Sequence, residues 1–323
     1  MLTVVCMIVD ALYLCKNRNI LPGSMYYLIY VPLFLLSLLP LRFLYILSDI
    51  ISFFLFRVFG YRRKIIENNL SIAFPEKSIA ERNSIKKKFY RNFTDSFIET
   101  IKCLSVSKNF YDKHCKTDFS LFNQFAAKGI SCQMHACHQF NWEWINLHWS
   151  VHLKQPLVIV YMPISSKPIN RLFYKFRTKY GTHMLSATES RKAFVAWRNK
   201  THALALIADQ KPAAPQYCYW LNFFHRPTAF VTGPEKNAAM KKCPVIFGRA
   251  FKTGRGKYES SLTLACEDAA ALKPGELTVM YRDYIEDAIR KQPDMYLWSH
   301  KRFKHEWNEE YRKLWIDHKE PAI

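Results

Sequence analysis

The residues best suited to chemistry lie in one short stretch, Ser131 to Trp144, which reads SCQMHACHQFNWEW. It contains a histidine, His138, and a carboxylate, Glu143, five positions apart. A neutral imidazole can take the proton of an alcohol, and a carboxylate can fix the imidazole tautomer and stabilise the imidazolium that forms. This pairing suits the transfer of an acyl group to a hydroxyl, with His138 as the general base and Glu143 as the residue that orients it.

The pattern around His138 predicts a strand followed by a helix. Ile130 to Cys137 is an apolar run with the length of a short buried strand. Asn141 can cap a helix whose first turn contains Glu143. The turn between the two elements would bring the imidazole and the carboxylate together.

Two other interpretations of this stretch compete with catalysis. A histidine and a glutamate occur at this spacing often by chance, and many histidines only make structural hydrogen bonds. Zinc could also bind the nearby thiols and imidazoles, which belong to Cys132, His135, Cys137 and His138. Because alternate residues of a strand point to opposite faces, Cys132 and His138 would lie on one side and the other two on the opposite side. We therefore expect no metal site in this stretch.

The composition favours an anionic partner. The 323 residues include 47 basic and 26 acidic ones, for a formal net charge of +21, and half of all residues are hydrophobic. Nucleic acid, an anionic membrane surface and an acidic carrier protein would each suit this charge. No RNP or zinc-finger pattern accompanies it, so we expect no nucleic-acid partner.

The nine cysteines are scattered and odd in number, which suits reduced, buried thiols better than a disulfide framework. The chain contains no CxxC pair. Its one HxxxH pair, His148 and His152, has no cysteine beside it.

Residues 1–60 are predicted to anchor the chain to a membrane. No residue between Arg18 and Arg42 is charged, an interval long enough to cross a hydrocarbon core. Pro32 and Pro40 interrupt it, and a second apolar run follows, so the segment either spans the membrane or lies partly immersed as a helical hairpin. The segment before it, with Asp10, Lys16 and Arg18, lacks a small-residue cleavage site, which indicates an uncleaved anchor. The basic sequence YRRK at 61–64 then places this side in the cytoplasm, where it could hold anionic headgroups.

Beyond the anchor, residues 61–127 are predicted to be helical, with a break at Phe74-Pro75-Glu76, and residues 128–323 to form an α/β core. These two regions are expected to form one domain. The core alternates amphipathic stretches with short apolar runs, which indicates a mixed central sheet flanked by helices. The runs are Ile130–Cys137, Pro156–Met162, Ala203–Ala208, Pro244–Phe247 and Tyr258–Ala265. Active groups gather at the carboxyl ends of such strands, where His138 and Asp209 both fall.

Three further patterns in the core could contribute to a site. Four basic residues at roughly helical spacing form either an anion-binding face or a solvated one: Arg171, Lys175, Arg177 and Lys179. The polar pair Asp209-Gln210 ends a buried strand, and the aromatic stretch after it, Tyr217 to Phe224, could line an acyl channel or belong to the core. Thr232-Gly233-Pro234 opens a helix, whose amino terminus could bind phosphate or could simply be capped.

Taken together and in order, the motifs of the chain match those of a known family. They are the apolar anchor, YRRKIIENNLSIAFPE, HQFNWEW, VYMPISSKPINRLFYKFRTKYG, ADQKP, FFHRPTAFVTGPEKNAA and QPDMYLWSHKRFKHEW. The chain thereby resembles the Kdo2-lipid A (lauroyl/myristoyl) acyltransferase family of bacteria, particularly its Bacteroidetes-type members, within the wider lysophospholipid acyltransferase superfamily. The resemblance covers nearly all of the chain from about Met25.

The resemblance implies roles for individual residues. An HxxxxE acyltransferase motif falls on His138 and Glu143, which favours His138 over His135 as the catalytic histidine. Arg177 and Asp209 are expected in the site as an anion or oxyanion contact and a second polar support, with Gln210 also contacting substrate.

The resemblance also implies the reaction and its setting. The acyl donor would be an acyl carrier protein thioester, or acyl-CoA, and the acceptor a hydroxyl of a lipid A precursor. The enzyme would lie at the cytoplasmic face of the inner membrane and would need no cofactor and no metal for its chemistry. The basic charge would suit both an acidic carrier protein and a phosphorylated lipid.

Two departures from the family pattern leave other functions open. Gln139-Phe140 replaces an aromatic-glycine pair, and Met162 replaces an arginine. Phe140 would block a close approach that glycine allows, so acyl length or acceptor could differ. The alternatives are a lysophospholipid or aminolipid O-acyltransferase, with an ornithine or glycine lipid as the aminolipid, and a catalytically silent lipid-binding relative.

Overall fold

The computed structural model describes residues 22–188 and 194–322. The prediction of an uncleaved segment around Asp10, Lys16 and Arg18 lies outside these residues. The strands are β1 (Cys115–Thr117), β2 (Cys132–Ala136), β3 (Leu157–Tyr161), β4 (His183–Ser186), β5 (Ala203–Ile207), β6 (Tyr219–Phe223), β7 (Arg226–Phe230), β8 (Val245–Gly254) and β9 (Lys257–Cys266). The helices are α1 (Pro22–Leu38), α2 (Leu41–Phe53), α3 (Arg63–Ala73), α4 (Ile79–Lys102), α5 (Lys108–His114), α6 (Ser120–Ala127), α7 (Trp142–His152), α8 (Lys167–Arg177), α9 (Gly233–Lys241) and α10 (Glu276–Lys291).

Seven of the strands form one central sheet in the order β1-β9-β8-β2-β5-β3-β4. All neighbours in it are parallel except the β8–β9 hairpin. Helices flank this mostly parallel sheet, which confirms the mixed α/β fold that the alternating pattern predicted. One buried cluster contains side chains from Tyr61 to Phe303, so the helical segment and the sheet contribute to the same core.

Each of the five apolar runs overlaps an observed strand, although β8 continues to Gly254, well beyond the predicted Phe247. Three features of the sheets were not predicted. The edge strands β1 and β4 are short and partly exposed, so they lack the alternation that marks a longer strand. Most of the aromatic stretch from Tyr217 to Phe224 is not a loop but the strand β6, paired with β7 in a separate hairpin. Trp220 in β6 is fully buried and stacks on Tyr311 at 4.7 Å, so this part of the stretch packs in the core.

Local signals correctly placed the ends of several helices. Helix α3 ends at Ala73, directly before the predicted break, and α4 begins after Ser78. The Ser78 side chain accepts a hydrogen bond from the Glu81 amide, and the Glu81 side chain accepts one from the Ser78 amide. This reciprocal capping satisfies two amides that the helix itself leaves unpaired. Helix α9 begins at Gly233 with Pro234 in its first turn, as the sequence predicted.

The amino-terminal helices expose many of their large apolar side chains. Helix α2 continues into a π-helical turn, Phe54–Val58, and most of the exposed large apolar side chains of the described residues lie between Tyr27 and Phe59. Within residues 22–188 and 194–322, no single helix has both the length and the apolar character to cross a membrane. Two helical segments bent by 118°, Met25–Leu38 and Leu41–Val58, meet those criteria only as a pair.

Helix α2 is joined to the core through a buried polar network around Asp95 of α4. The Asp95 carboxylate is fully buried and accepts hydrogen bonds from Ser48 at 2.7 Å and Lys252 at 3.1 Å. Arg255, in the turn between β8 and β9, lies 2.7 Å from Asp95 and 2.8 Å from Asp49 of α2. One arginine therefore connects the amino-terminal helices to α4 and the sheet.

We expect Asp95→Asn to lower the free energy of unfolding by about 3 kcal/mol, because the loss of the buried carboxylate charge leaves two partly buried cations, Lys252 and Arg255, with less compensation. Chemical denaturation of the full chain in detergent would measure the change. As a control, Asp287→Asn removes a half-exposed carboxylate that also pairs with two cations, Arg249 and Lys291. Its effect should stay below about 1 kcal/mol. Equal losses in the two variants would contradict a special role for the Asp95 network.

Candidate active site

The register of the parallel sheet places His138 next to Asp209. Strands β2 and β5 are neighbours, and Ala136 pairs with Ile207 at their carboxyl ends. Each chain continues two residues further, to His138 after β2 and to Asp209 after β5. Because both residues lie two positions beyond the paired Ala136 and Ile207, their side chains come together at the carboxyl ends of the strands, where α/β proteins usually bind their ligands.

Asp209 holds the histidine by two hydrogen bonds. Its Oδ1 lies 2.6 Å from Nδ1 of the His138 ring, and its Oδ2 accepts the His138 backbone N–H at 3.1 Å. The Asp209 side chain is only 1% exposed, whereas the His138 side chain is 19% exposed. Burial raises the pKa of Asp209, but the His138 ring, its hydrogen bonds and Arg302 outweigh burial and hold the pKa below its usual value. The carboxylate is therefore ionised at neutral pH.

The hydrogen bonds of His138 define its tautomer. An ionised carboxylate can only accept, so Nδ1 must carry the proton that it shares with Asp209. In the neutral ring, the lone pair then lies on the other nitrogen, Nε2. The Gln210 amide nitrogen lies 3.2 Å from it and can donate to that lone pair. The nitrogen that can act as a base thus lies on the side of the ring away from Asp209.

Glu143 does not orient His138, which corrects the prediction from the sequence. Both oxygens of its buried carboxylate accept from Arg177 at the end of α8, with Nε to Oε2 at 2.9 Å and Nη2 to Oε1. The Trp142 indole N–H donates to Oε1 at 3.1 Å. Burial lowers the pKa of Arg177, but Glu143 outweighs burial and raises it. Glu143 therefore holds a cation in place, and Asp209 makes the contact with the His138 ring that was expected of Glu143.

Asn141 caps α7 as predicted, and the Glu99 side chain holds the Asn141 side chain in place by a hydrogen bond. The Asn141 Oδ1 accepts from the amides of Glu143 at 3.0 Å and Trp144 at 3.3 Å. Its Nδ2 donates to Glu99, which also accepts from Tyr45 and Tyr258. Glu99 is fully buried, and burial raises its pKa despite the nearby Lys252. The start of α7, three residues after His138, is thus fixed by hydrogen bonds on both sides of the cap.

His138, Glu143, Arg177 and Gln210 line one cavity of about 460 Å³. Its walls also include side chains from the carboxyl ends of β3, β4 and β5. Most of these are apolar: Ile159, Val160, Met184 and Ile207. The predicted site residues therefore meet at one cavity, apart from Asp209, which lies behind His138.

The cavity includes residues that sequence reasoning missed. His300 lines it, and its Nε2 accepts the Lys211 backbone N–H at 3.0 Å. Burial lowers the pKa of His300 to about 4, so this ring is neutral at physiological pH. Arg62 also lines the cavity and donates to the Ser299 carbonyl at 2.9 Å. The motif QPDMYLWSHKRFKHEW contains His300, but nothing in its local pattern indicates which residue reaches the site.

The four basic residues after β3 do not form a single anion-binding face. Arg171 packs over the Tyr26 ring at 4.4 Å and Lys175 over the Tyr30 ring at 4.9 Å, which ties α8 to α1. Lys179 donates to the Val106 carbonyl at 2.6 Å. Of the four, Arg177 alone lines the large cavity.

A second, smaller cavity of about 70 Å³ lies between α7 and the sheet. It shares Trp142, Asn146 and Ile159 with the large cavity, and Met134, Trp149 and Gly248 lie farther along its walls. A Cβ at Gly248 would lie 3.2 Å from both Met134 Sδ and the Trp149 ring. The small cavity thus continues the large one into the core. A side chain at Gly248 would reduce its volume.

Two other residues of the His138 stretch, Phe140 and His135, lie in the core and do not line the large cavity. Phe140 was expected to block a close approach at the site, but its ring is buried in the core, 5.9 Å from Phe89 and 6.0 Å from Phe93. It does not line the large cavity. His135 contacts the Gln133 amide at 3.0 Å, and burial lowers its pKa to about 3, so it is a neutral core residue.

Together these features define an α/β enzyme with a histidine–aspartate pair at the carboxyl ends of parallel strands. The chain belongs to the bacterial lipid A biosynthesis acyltransferase family, whose model matches residues 16–305, and it is thus an acyltransferase. This confirms the family expected from the motifs, and the match begins slightly before Met25. A comparison with curated protein sequences finds no match.

Among solved structures, the chain is similar to a 1-acyl-sn-glycerophosphate acyltransferase from Thermotoga maritima. The two chains share 11% identity over 78% of this chain and 97% of the other, with a TM-score of 0.37. A similarity this weak carries no argument about fold or substrate.

We predict that Asp209→Asn lowers kcat by about a thousandfold to ten-thousandfold. The His138 backbone N–H needs an acceptor, so the side-chain oxygen of the new asparagine would take that position. Its NH₂ group would then face Nδ1 and donate to it. His138 would therefore adopt the other tautomer, in which Nε2 carries the proton and cannot act as a base. Steady-state kinetics with an acyl thioester donor would measure the loss, and KM should change little.

The matched comparison is Glu143→Gln, which removes a buried carboxylate that does not contact His138. We expect a smaller loss of kcat, together with a weaker hold on Arg177 that raises KM for an anionic substrate. Folding of both variants would be checked by thermal unfolding. If Glu143→Gln lost as much kcat as Asp209→Asn while folded, the assignment of Asp209 as the orienting carboxylate would be wrong.

Proposed function

We propose that this acyltransferase moves a fatty acyl chain from an acyl carrier protein thioester, or from acyl-CoA, to a hydroxyl of a lipid A precursor. The observation that carries the proposal is the His138–Asp209 pair. It leaves an unprotonated ring nitrogen next to a cavity with both cationic and apolar walls. The family match supports the class of acceptor.

In the proposed reaction, His138 Nε2 takes the proton of the acceptor hydroxyl as that oxygen attacks the carbonyl carbon of the thioester. The tetrahedral intermediate collapses, the carbon–sulfur bond breaks, and the thiolate leaves. The imidazolium then returns the proton to the thiolate, and the acyl chain remains on the acceptor as an ester. Asp209 stabilises the imidazolium and keeps Nδ1 protonated throughout.

Arg177 is proposed to bind negative charge in the cavity. Its side chain is 16% exposed, and two of its N–H groups are held by Glu143. A guanidinium has five N–H donors, so others remain for a phosphate or for the oxyanion of the intermediate. Glu143 orients the Arg177 guanidinium, but its negative charge offsets the positive charge of that group. Arg177 is therefore proposed to contribute directed hydrogen bonds more than long-range attraction.

The apolar walls are proposed to hold the acyl tail. Ile159, Val160 and Ile207 form one side of the large cavity, and the smaller cavity continues from there toward Gly248. Burial of methylene groups against such walls is favourable by about 0.8 kcal/mol each. The depth of this path would then contribute to the choice of acyl length.

Membrane association at the cytoplasmic face of the inner membrane is proposed from the exposed apolar surface of the amino-terminal helices. Ile46 is 57% exposed and Phe59 71% exposed, which is costly in water and favourable at a lipid surface. The net charge of +21 would attract anionic headgroups and an acidic carrier protein.

His138→Ala should abolish transfer while leaving the fold intact, because the Nε2 of His300, the other histidine that lines the cavity, already accepts the Lys211 N–H and is not held by Asp209. Purified full-length protein would be assayed with an acyl carrier protein thioester and either a lipid A precursor or a lysophospholipid as acceptor. Mass spectrometry of lipid from a deletion strain that carries each variant should show a species lighter by one acyl chain with His138→Ala. The control is His225→Ala, which changes an exposed histidine outside the cavity. This variant should restore the lipid with its full number of acyl chains.

The two parts of the proposal fail separately. Full activity of His138→Ala on any acceptor would contradict the role of the base. Efficient transfer to the lysophospholipid, with none to the lipid A precursor, would leave the base in place and show that the acceptor is wrong.

The double variant Ile46→Glu/Phe59→Glu should bind membranes at least tenfold more weakly. It places two charges on the surface proposed to enter the lipid, where each apolar side chain contributes about 1.5–3 kcal/mol when buried. Flotation of protein synthesised in the presence of phosphatidylglycerol-containing vesicles would measure the bound fraction.

The matched control is Ile79→Glu/Met240→Glu, because both side chains are 72% exposed but lie outside the amino-terminal helices. It should float like the unmodified chain. Equal flotation of both double variants, or equal loss in both, would show that the amino-terminal helices are not the membrane-binding surface.

A further inference from the structure

We propose that Asp112, His148 and His152 form a binding site for one zinc-like divalent transition-metal ion. Asp112 lies on α5, and the two histidines lie one turn apart near the end of α7. One ligand atom from each of the three residues lies within 4.8 Å of the other two. Two imidazoles and a carboxylate are a ligand set that proteins use for zinc, with the fourth position left to water.

The observation that points to a ligand is the state of His148. The residue is only 5% exposed, and neither ring nitrogen has a hydrogen-bond partner. A buried polar group without a partner costs about 1–3 kcal/mol. A bound metal ion would give one of these nitrogens a partner.

The distances suit a site that closes on its ion. The Asp112 Oδ1 lies 2.6 Å from His152 Nε2 and 4.0 Å from His148 Nδ1. Ligand atoms that bind zinc at about 2 Å in a tetrahedral arrangement lie roughly 3.3 Å apart. These two distances lie on either side of that value, and all three ligand atoms lie within 4.8 Å of one another, so a shift of about 1 Å or less by each atom would bring them to that spacing.

The surroundings allow an ion to enter from solvent. The side chains of Asp112 and His152 are 46% and 36% exposed, so the site is open on one side. The Phe119 ring packs against both histidines, at 5.5 Å from His148 and 5.7 Å from His152, and limits their movement on the other side.

The site lies away from the proposed chemistry. His152 is the last residue of the 11-residue helix α7, whereas His138 precedes the first turn, a helix length of about 16 Å away. An ion here would tie α5 to the last turn of α7 and would hold the helix whose first turn positions Glu143. The inference therefore concerns stability and does not depend on the proposed reaction.

The test uses the full-length chain, without an oligohistidine tag, after treatment with a chelator and dialysis. Addition of ZnSO₄ should raise the midpoint of thermal unfolding, and Co²⁺ should give the visible absorption of a four-coordinate site. Asp112→Asn and His148→Gln should each lower zinc affinity at least tenfold and reduce the bound metal by one ion per chain, as measured by elemental analysis. Asp112 is half-exposed, so its variant remains informative if a change at the buried His148 prevents folding.

His225→Gln provides the matched control, since it removes an exposed histidine elsewhere and should bind zinc like the unmodified chain. The proposal is overturned if zinc does not change the unfolding midpoint of the unmodified chain. It is also overturned if Asp112→Asn, folded, binds the same amount of zinc with the same affinity, because the ion would then lie at other groups.

Discussion

The site depends on one buried ion, the Asp209 carboxylate. A carboxylate that is 1% exposed is stable only if its charge is compensated, and two donors of the same residue, the backbone N–H and the Nδ1 of His138, provide most of that compensation. Both bonds require β2 and β5 to lie side by side in register. The pairing of these two central strands therefore determines the tautomer of the base as well as the stability of the sheet. A shift of register by one residue would move His138 to the other face and leave the carboxylate unpaired.

The sequence predicted the local parts of this arrangement better than their assembly. Strand runs, the Asn141 cap and the break after Ala73 depend on residues close together in the chain, and the structure confirms them. The partner of His138 depends on the order of strands in the sheet, which no local pattern indicates. Glu143, five residues away, was therefore chosen over Asp209, which is remote in sequence but adjacent in space. His300 and Glu99 escaped notice for the same reason, since each acts through a long-range contact.

Glu99 shows how the amino-terminal helices bear on the site. One carboxyl group accepts from Tyr45 of α2, from Tyr258 of β9 and from the Asn141 side chain that caps α7. Because the group is fully buried, the loss of any of these donors leaves an acceptor without compensation in the core. The position of α2 is thus coupled to the start of α7, and Arg255 strengthens the coupling through Asp49 and Asp95. The exposed apolar surface of α1 and α2 is thus linked, through one buried carboxyl group, to the start of the helix that follows His138.

Helix α7 needs such support, because an isolated helix of 11 residues is marginally stable in water. Along its length, the helix packs against the core through large buried side chains, which include Trp144, Ile145 and Trp149. Its first turn is fixed by the Asn141 cap and by the pairing of Glu143 with Arg177. Its last turn is held by the Trp149 indole N–H, which donates to Ser260 at 3.0 Å, and by the contact between His152 and Asp112, beside an imidazole whose nitrogens lack a hydrogen-bond partner. Several polar contacts therefore fix the end of the helix that faces the cavity. The opposite end retains the buried His148 ring without a hydrogen-bond partner, and an ion could bind there.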